Sequence, residues 1–127
     1  MILLDTSVLI DYFRKVNKQN AFFFQLAQIS SEFTISSITK YEIEVGAKPQ
    51  DMAFWTGLYQ NISIISFDED IASETVVINN ELKKKSKLIE FADMAIAATA
   101  RIHNFELATL NTKHFNRIDN LRLINPS

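Results

Sequence analysis

The chain has 127 residues, 47% of them hydrophobic, with ten phenylalanines to fill one core, so a single domain over residues 1–127 is expected. The absence of cysteine excludes disulfides, thiolate metal sites and a cysteine nucleophile. A formal net charge of −2 gives no global sign of a nucleic-acid binder, although the local field of a groove can override the sum. No basic stretch leads into an apolar core with a cleavage site, and no apolar run approaches membrane-spanning length. A cytoplasmic protein without a membrane partner is therefore expected.

Ile2-Leu3-Leu4 is an apolar run short enough for a buried strand. Asp5-Thr6-Ser7 stops it, and Thr6 to about Arg14 reads as a helix, with a second from Asn20 to about Ile29. Phe33 to Ser36 alternates like a strand. Thr39 to Val45 reads as a helix whose Ile38, Tyr41 and Val45 share a face, with Gly46 suited to a left-handed terminating position. Pro49-Gln50 opens a helical segment through Trp55 to Tyr59, and Ile62 to Ile65 is a strand. Ser66 to Glu69 offers a capping box, after which Ile71, Thr75, Ile78 and Leu82 fall at helical spacing.

Lys83-Lys84-Lys85-Ser86-Lys87 reads as a basic turn. Phe91 to His103 is a helix rich in alanine, ended by Asn104 and suited by its small side chains to close approach on a sheet. Glu106 to Leu110 and Leu121 to Ile124 are the last strands. Strands separated by helices give an α/β fold, a three-layer α/β/α sandwich around a mainly parallel sheet.

Chemistry-bearing residues concentrate around three acids. Each has an ordinary structural explanation. Asp5 suits a helix cap. Thr39-x-x-Glu42 is a capping-box pattern. Asp93 lies in the first turn of its helix, where the macrodipole favours an acid. The combination points elsewhere. Asp5 and Asn111 each follow a strand and so face the crevice beyond the strand ends, where open α/β sheets bind ligands. Asp93 is a charge in a very apolar helix, expensive unless paired or bound to a cation. Three carboxylates with water suit Mg²⁺ or Mn²⁺, which can activate water and stabilise charge on a phosphate.

Four segments resemble the PIN-domain family, specifically its VapC-type toxin ribonucleases. They are Leu3-Leu4-Asp5-Thr6-Ser7-Val8-Leu9-Ile10 and Ser37-Ile38-Thr39-x-x-Glu42-x-x-x-Gly46-Ala47, then Ala92-Asp93-x-x-Ile96-Ala97-Ala98-Thr99-Ala100 and Leu107-Ala108-Thr109-Leu110-Asn111-Thr112-x-His114-Phe115. Each is weak alone; their order and intervals, from Met1 to about Ile124, make the resemblance specific. It implies a PIN-like sandwich and a Mg²⁺- or Mn²⁺-dependent endoribonuclease that cleaves RNA phosphodiester bonds with activated water. It carries metal-ligand roles onto Asp5, Glu42 and Asp93, and supporting polar roles onto Thr6, Ser7, Asn111 and Thr112. It also implies a homodimer and a VapB-type antitoxin whose C-terminal segment enters the active-site groove.

The chain departs from the family's pattern at the fourth acid. Its candidate positions hold Asn111 and His114, so a second metal is held weakly and single-metal chemistry is favoured. Lys113, His114 and Arg117 are candidate RNA contacts, whereas the Lys83–Lys87 run reads as a solvated turn, with a phosphate-contacting rim as its rival. Phe22, Phe23 and Phe24 cannot all face one core, so at least one is exposed or at an interface. The alternative function is a non-catalytic PIN-like module that binds RNA or protein; retention of all three acids opposes it. An aspartyl phosphatase needs a second acid where Ser7 stands.

Overall fold

The computed structural model describes residues 1–126. Five strands form one sheet: β1 (Ile2–Leu4), β2 (Phe33–Ser36), β3 (Ser63–Ile65), β4 (Glu106–Ala108) and β5 (Leu123–Ile124). Their spatial order is β3-β2-β1-β4-β5, and every pairing is parallel. Seven helices join them: α1 (Thr6–Arg14), α2 (Phe22–Ala27), α3 (Ser37–Gly46), α4 (Met52–Tyr59), α5 (Glu69–Lys84), α6 (Phe91–His103) and α7 (Thr112–Phe115).

Alternation in β1 sorts the two faces of the sheet, because successive side chains in a strand point oppositely. Ile2 and Leu4 join Val8, Leu9, Phe22, Ile35, Ile43 and Trp55 in the core built with α1 to α4. Leu3 joins Ile71, Ile78, Leu82, Ile96, Leu107 and Phe115 in the core under α5, α6 and α7. The α/β/α sandwich expected from the sequence is therefore present, with a sheet that is wholly parallel. Parallel sheets require both faces covered, and the alanines of α6 let it do so closely. Every residue from Met94 to Ala100 is buried, and Asn104 ends the helix at φ 56°, ψ 42°.

The chain winds from β1 to β2 to β3 and then returns to the other side of β1 through α5 and α6. The direction of winding thus reverses between β1 and β4. Crevices beyond the carboxyl ends of strands at such a reversal are where this architecture binds ligands. Both α3 and α6 begin at that end of the sheet, and they pack against each other.

Several local expectations need correction. The second helix is split: a 3₁₀ turn at Lys18–Asn20, capped by the Asn17 side chain, precedes α2, and Ala21 between them is extended. Helix α3 starts at Ser37 because the Ser36 hydroxyl caps it by accepting the Ile38 N–H at 3.0 Å. It packs through Thr39 and Ile43, while Tyr41 and Val45 are 66% and 68% exposed, so the face they share with Ile38 is not the packing face. Gly46 is its last residue and has no positive φ; extended Ala47 ends the helix. Asp68, not Ser66, caps α5, taking the Ile71 N–H at 2.9 Å. Strand β4 stops at Ala108 and β5 starts at Leu123, both shorter than expected. The phenylalanine triplet divides as required: Phe22 is buried, Phe23 meets Tyr12 and Phe33 edge-on, and Phe24 is exposed.

Candidate active site

Asp5 leaves β1 at the reversal and is only 2% exposed. Its position is that of the α1 N-cap, but its side chain makes no cap hydrogen bond. Its Oδ2 instead accepts the Ser7 hydroxyl at 2.7 Å and the Thr109 hydroxyl at 2.8 Å. Neither uses Oδ1. Ser7 Oγ also accepts the Leu110 N–H at 3.1 Å, and Thr109 Oγ1 accepts the Asn111 N–H at 2.8 Å. The end of β1 is thereby laced to the end of β4, and a buried carboxylate is held in one orientation by donors from both.

Glu42 comes from α3. Its Oε1 accepts the Thr6 hydroxyl at 2.7 Å, and Thr6 Oγ1 lies 3.0 Å from Thr39 Oγ1. Thr39 therefore serves this polar chain from a fully buried position rather than capping a helix. Asp93, in the first turn of α6, has its Oδ2 at 3.2 Å from His114 Nδ1 on α7.

The three acids form three hydrogen-bonded units that share one field. Asp93 has its pKa raised above the ordinary carboxylate value, first by burial and then by the negative charge of Asp5, with Glu42 adding to it; His114 opposes the rise. Both effects penalise the charged form, as like charges near one site must. Among the described residues, no three acidic or histidine side chains stand close enough to enclose a metal ion as they are. Glu42 is hydrogen-bonded to Thr6, and Asp93 lies against His114. The donor set itself suits a hard divalent cation, being carboxylate oxygen.

The sign of the pH effect follows. An acid whose pKa is higher in the folded than in the unfolded chain binds more protons when folded, so stability falls as pH rises from the ordinary aspartate range to the raised value. Without divalent ions, Asp93→Asn should therefore melt at a higher temperature than the parent at pH 7, and the difference should vanish at acidic pH. Thermal melts in EDTA measure this; equal melting temperatures at pH 7 would contradict the raised Asp93 pKa.

The supporting residues divide. Thr6 and Ser7 engage the acids directly. Asn111 is exposed, and only its backbone is tied into the network; its carbonyl accepts the His114 N–H at 3.0 Å. The Thr112 side chain has no hydrogen bond among the described residues. His114 faces Asp93, whereas Lys113 and Arg117 face away, into a separate cleft. Thr109 was legible only as a polar position between apolar residues, and Thr39 only as a capping-box residue. Their roles depend on partners 104 and 33 residues away, so no local pattern announces them. Thr109→Val removes the buried hydroxyl that orients Asp5, and divalent-ion affinity should drop about 10–100-fold, as for other outer partners of ligands. Calorimetric titration of the variant checks this, and unchanged affinity would remove Thr109 from the site.

The PIN-domain profile matches residues 2–121. Ribonuclease VapC1 of Methanocaldococcus jannaschii is 38% identical over 118 residues, covering 92% of this chain and 80% of that protein. The tRNA(fMet)-specific endonuclease VapC of Shigella flexneri is 29% identical over 125 residues, 94% of this chain and 93% of that one. Among solved structures, VapBC2 from Rickettsia felis, bound to a DNA fragment from its promoter, superposes with a TM-score of 0.87 at 27% identity and full coverage of both chains. The chain belongs to the PIN-domain family and, within it, to the VapC-type toxin ribonucleases. Among the described residues, no helix is long and apolar enough to cross a membrane.

Proposed function

We propose that this chain is a Mg²⁺- or Mn²⁺-dependent endoribonuclease whose site is formed by Asp5, Glu42 and Asp93. The observation that carries it is the meeting of three acids at the reversal of the sheet, where burial first and then the charges of Asp5 and Glu42 raise the Asp93 pKa, a cost that a divalent cation would offset. When bound, such an ion supplies Lewis acidity, activating water and offsetting charge on the phosphate. The protein's part is orientation. Ser7 and Thr109 fix Asp5 through Oδ2, Thr6 fixes Glu42, and His114 fixes Asp93. Exposed Asn111 offers a neutral carbonyl oxygen and two N–H donors beside the acids, without the charge that a second tightly held cation needs.

The names of the relatives, ribonuclease and tRNA-specific endonuclease, support the reaction. Solved VapBC complexes from Rickettsia felis and Salmonella typhimurium support a VapB-type antitoxin as partner. A homodimer covering exposed apolar residues such as Phe24 completes the proposal. The test is incubation of the purified chain with RNA. Cleavage giving 5′-phosphate and 3′-hydroxyl ends in Mg²⁺ or Mn²⁺, lost in EDTA, is expected. Equal cleavage in EDTA, or none with either ion, would overturn it.

A further inference from the structure

We infer that the basic turn after α5 and the outer side of α7 together form a subsite for the sugar–phosphate backbone of the RNA beside the cleavage position. The proposal rests on the ribonuclease reading and adds a second place where the strand is held. The basic run is exposed, as read from sequence, but Lys83 and Lys84 belong to the last turn of α5, and the turn that follows is tied to the segment after α7. Lys87 N–H bonds back to the Leu82 carbonyl at 3.0 Å, with Ser86 left-handed at φ 55°. Lys85 Nζ pairs with Asp119 at 3.1 Å and reaches the Arg117 carbonyl at 3.4 Å. Arg117 Nη1 in turn donates to the Leu88 carbonyl at 3.2 Å. These ties hold two sequence-distant basic segments against each other across a cleft of about 490 Å³, lined by Ser86, Lys87, Leu88, Lys113, Asn116 and Arg117.

The cleft contains cations and no acid. Lys15, Lys40, Lys85 and Arg101 are all neutralised by carboxylates, whereas Lys87, Lys113 and Arg117 have no acidic partner among the described residues. Other cations, such as Lys18 and Lys48, also have no carboxylate partner among the described residues, but here three of them line one cleft. In sequence it borders the acidic site: Lys113 precedes His114, whose ring contacts Asp93, and Arg117 follows three residues after it. A polyanion whose scissile phosphate sits at Asp5, Glu42 and Asp93 can continue along α7 onto these cations. Amide and hydroxyl groups of Asn116 and Ser86 suit sugar and phosphate oxygens, and with no aromatic ring in the lining, the cleft is built to hold backbone rather than stack bases.

The test separates binding from cleavage. Affinity for a short fluorescein-labelled single-stranded RNA is measured by anisotropy in EDTA for the parent, Lys87→Glu, Lys113→Glu, the double variant and Lys84→Glu, which lies in the same basic run but outside the cleft. The two exposed cleft substitutions should each weaken binding roughly tenfold near 0.1 M salt, and the salt slope should fall by about 0.7 for each phosphate no longer neutralised. Lys87→Gln and Lys113→Gln should show smaller losses in the same order. If Lys84→Glu weakens binding as much as Lys87→Glu, or if the cleft variants bind RNA like the parent while losing affinity for the antitoxin, the subsite is refuted. If the chain cleaves no RNA yet the cleft variants still lose RNA affinity, the ribonuclease reading fails and the subsite stands.

Discussion

Replacing Asp5, Glu42 or Asp93 by alanine is expected to lower RNA cleavage on the order of 10³-fold or more, with double variants scarcely worse than single ones, because groups that act as a unit are far from additive. The structure gives each loss a local cause. Asp5→Ala leaves the Ser7 and Thr109 hydroxyls without their shared acceptor, Glu42→Ala does the same to Thr6, and Asp93→Ala releases His114. Single-turnover cleavage with parallel circular dichroism measures the effect. A variant that stays folded and cleaves at the parental rate would remove that acid from the mechanism. Multiplying losses in the double variants would show that the acids act separately.

Phe115→Ala is expected to be the most damaging change outside the acids. Phe115 is fully buried in the core under α5 and α6, although α7 is a single turn of helix. Emptying such a site typically costs about 3–5 kcal/mol, a large part of the roughly 5–15 kcal/mol that keeps a domain folded. The loss should reach the site as well, since Phe115 anchors the turn carrying Lys113, His114 and Arg117. Urea denaturation gives the stability change. At temperatures where the variant remains folded, RNA affinity should fall alongside. A stable variant with parental RNA affinity would mean that α7 is positioned by its hydrogen bonds instead.

The architecture was legible because its elements obey strong local rules. Ile2-Leu3-Leu4 is too short and apolar for anything but a buried strand, and the spacing of Ile71, Thr75, Ile78 and Leu82 matches the buried stripe of α5 residue for residue. Boundaries were less legible where two explanations of the same residues compete. Ser36 and Thr39 are both good caps, and the role falls to Ser36 because Thr39 faces Thr6. Tyr41 and Val45 look like core residues at helical spacing, yet α3 turns Thr39 and Ile43 inward to bring Glu42 to the site. The acids could be named from sequence, and with them Thr6 and Ser7, but Thr39 and Thr109 could not, because hydrogen bonds between distant segments leave no periodicity. The tethering of the basic turn is hidden for the same reason: its partners, Arg117 and Asp119, lie just beyond α7, roughly thirty residues later.

The lacing of Asp5 to Thr109 also fixes when the site comes into being during synthesis. The strand at the centre of the sheet is made before the other four, and its partner β2 follows next in the chain. Its other edge has no neighbour until β4 emerges, 104 positions after Asp5 in the case of Thr109. A nascent chain stalled before that point has its carboxylates but lacks the donor that orients Asp5 and the turn that carries His114. It also leaves the second edge of a buried, apolar strand open to pairing with another chain. Translation therefore completes the candidate site only as the last segments of the domain appear.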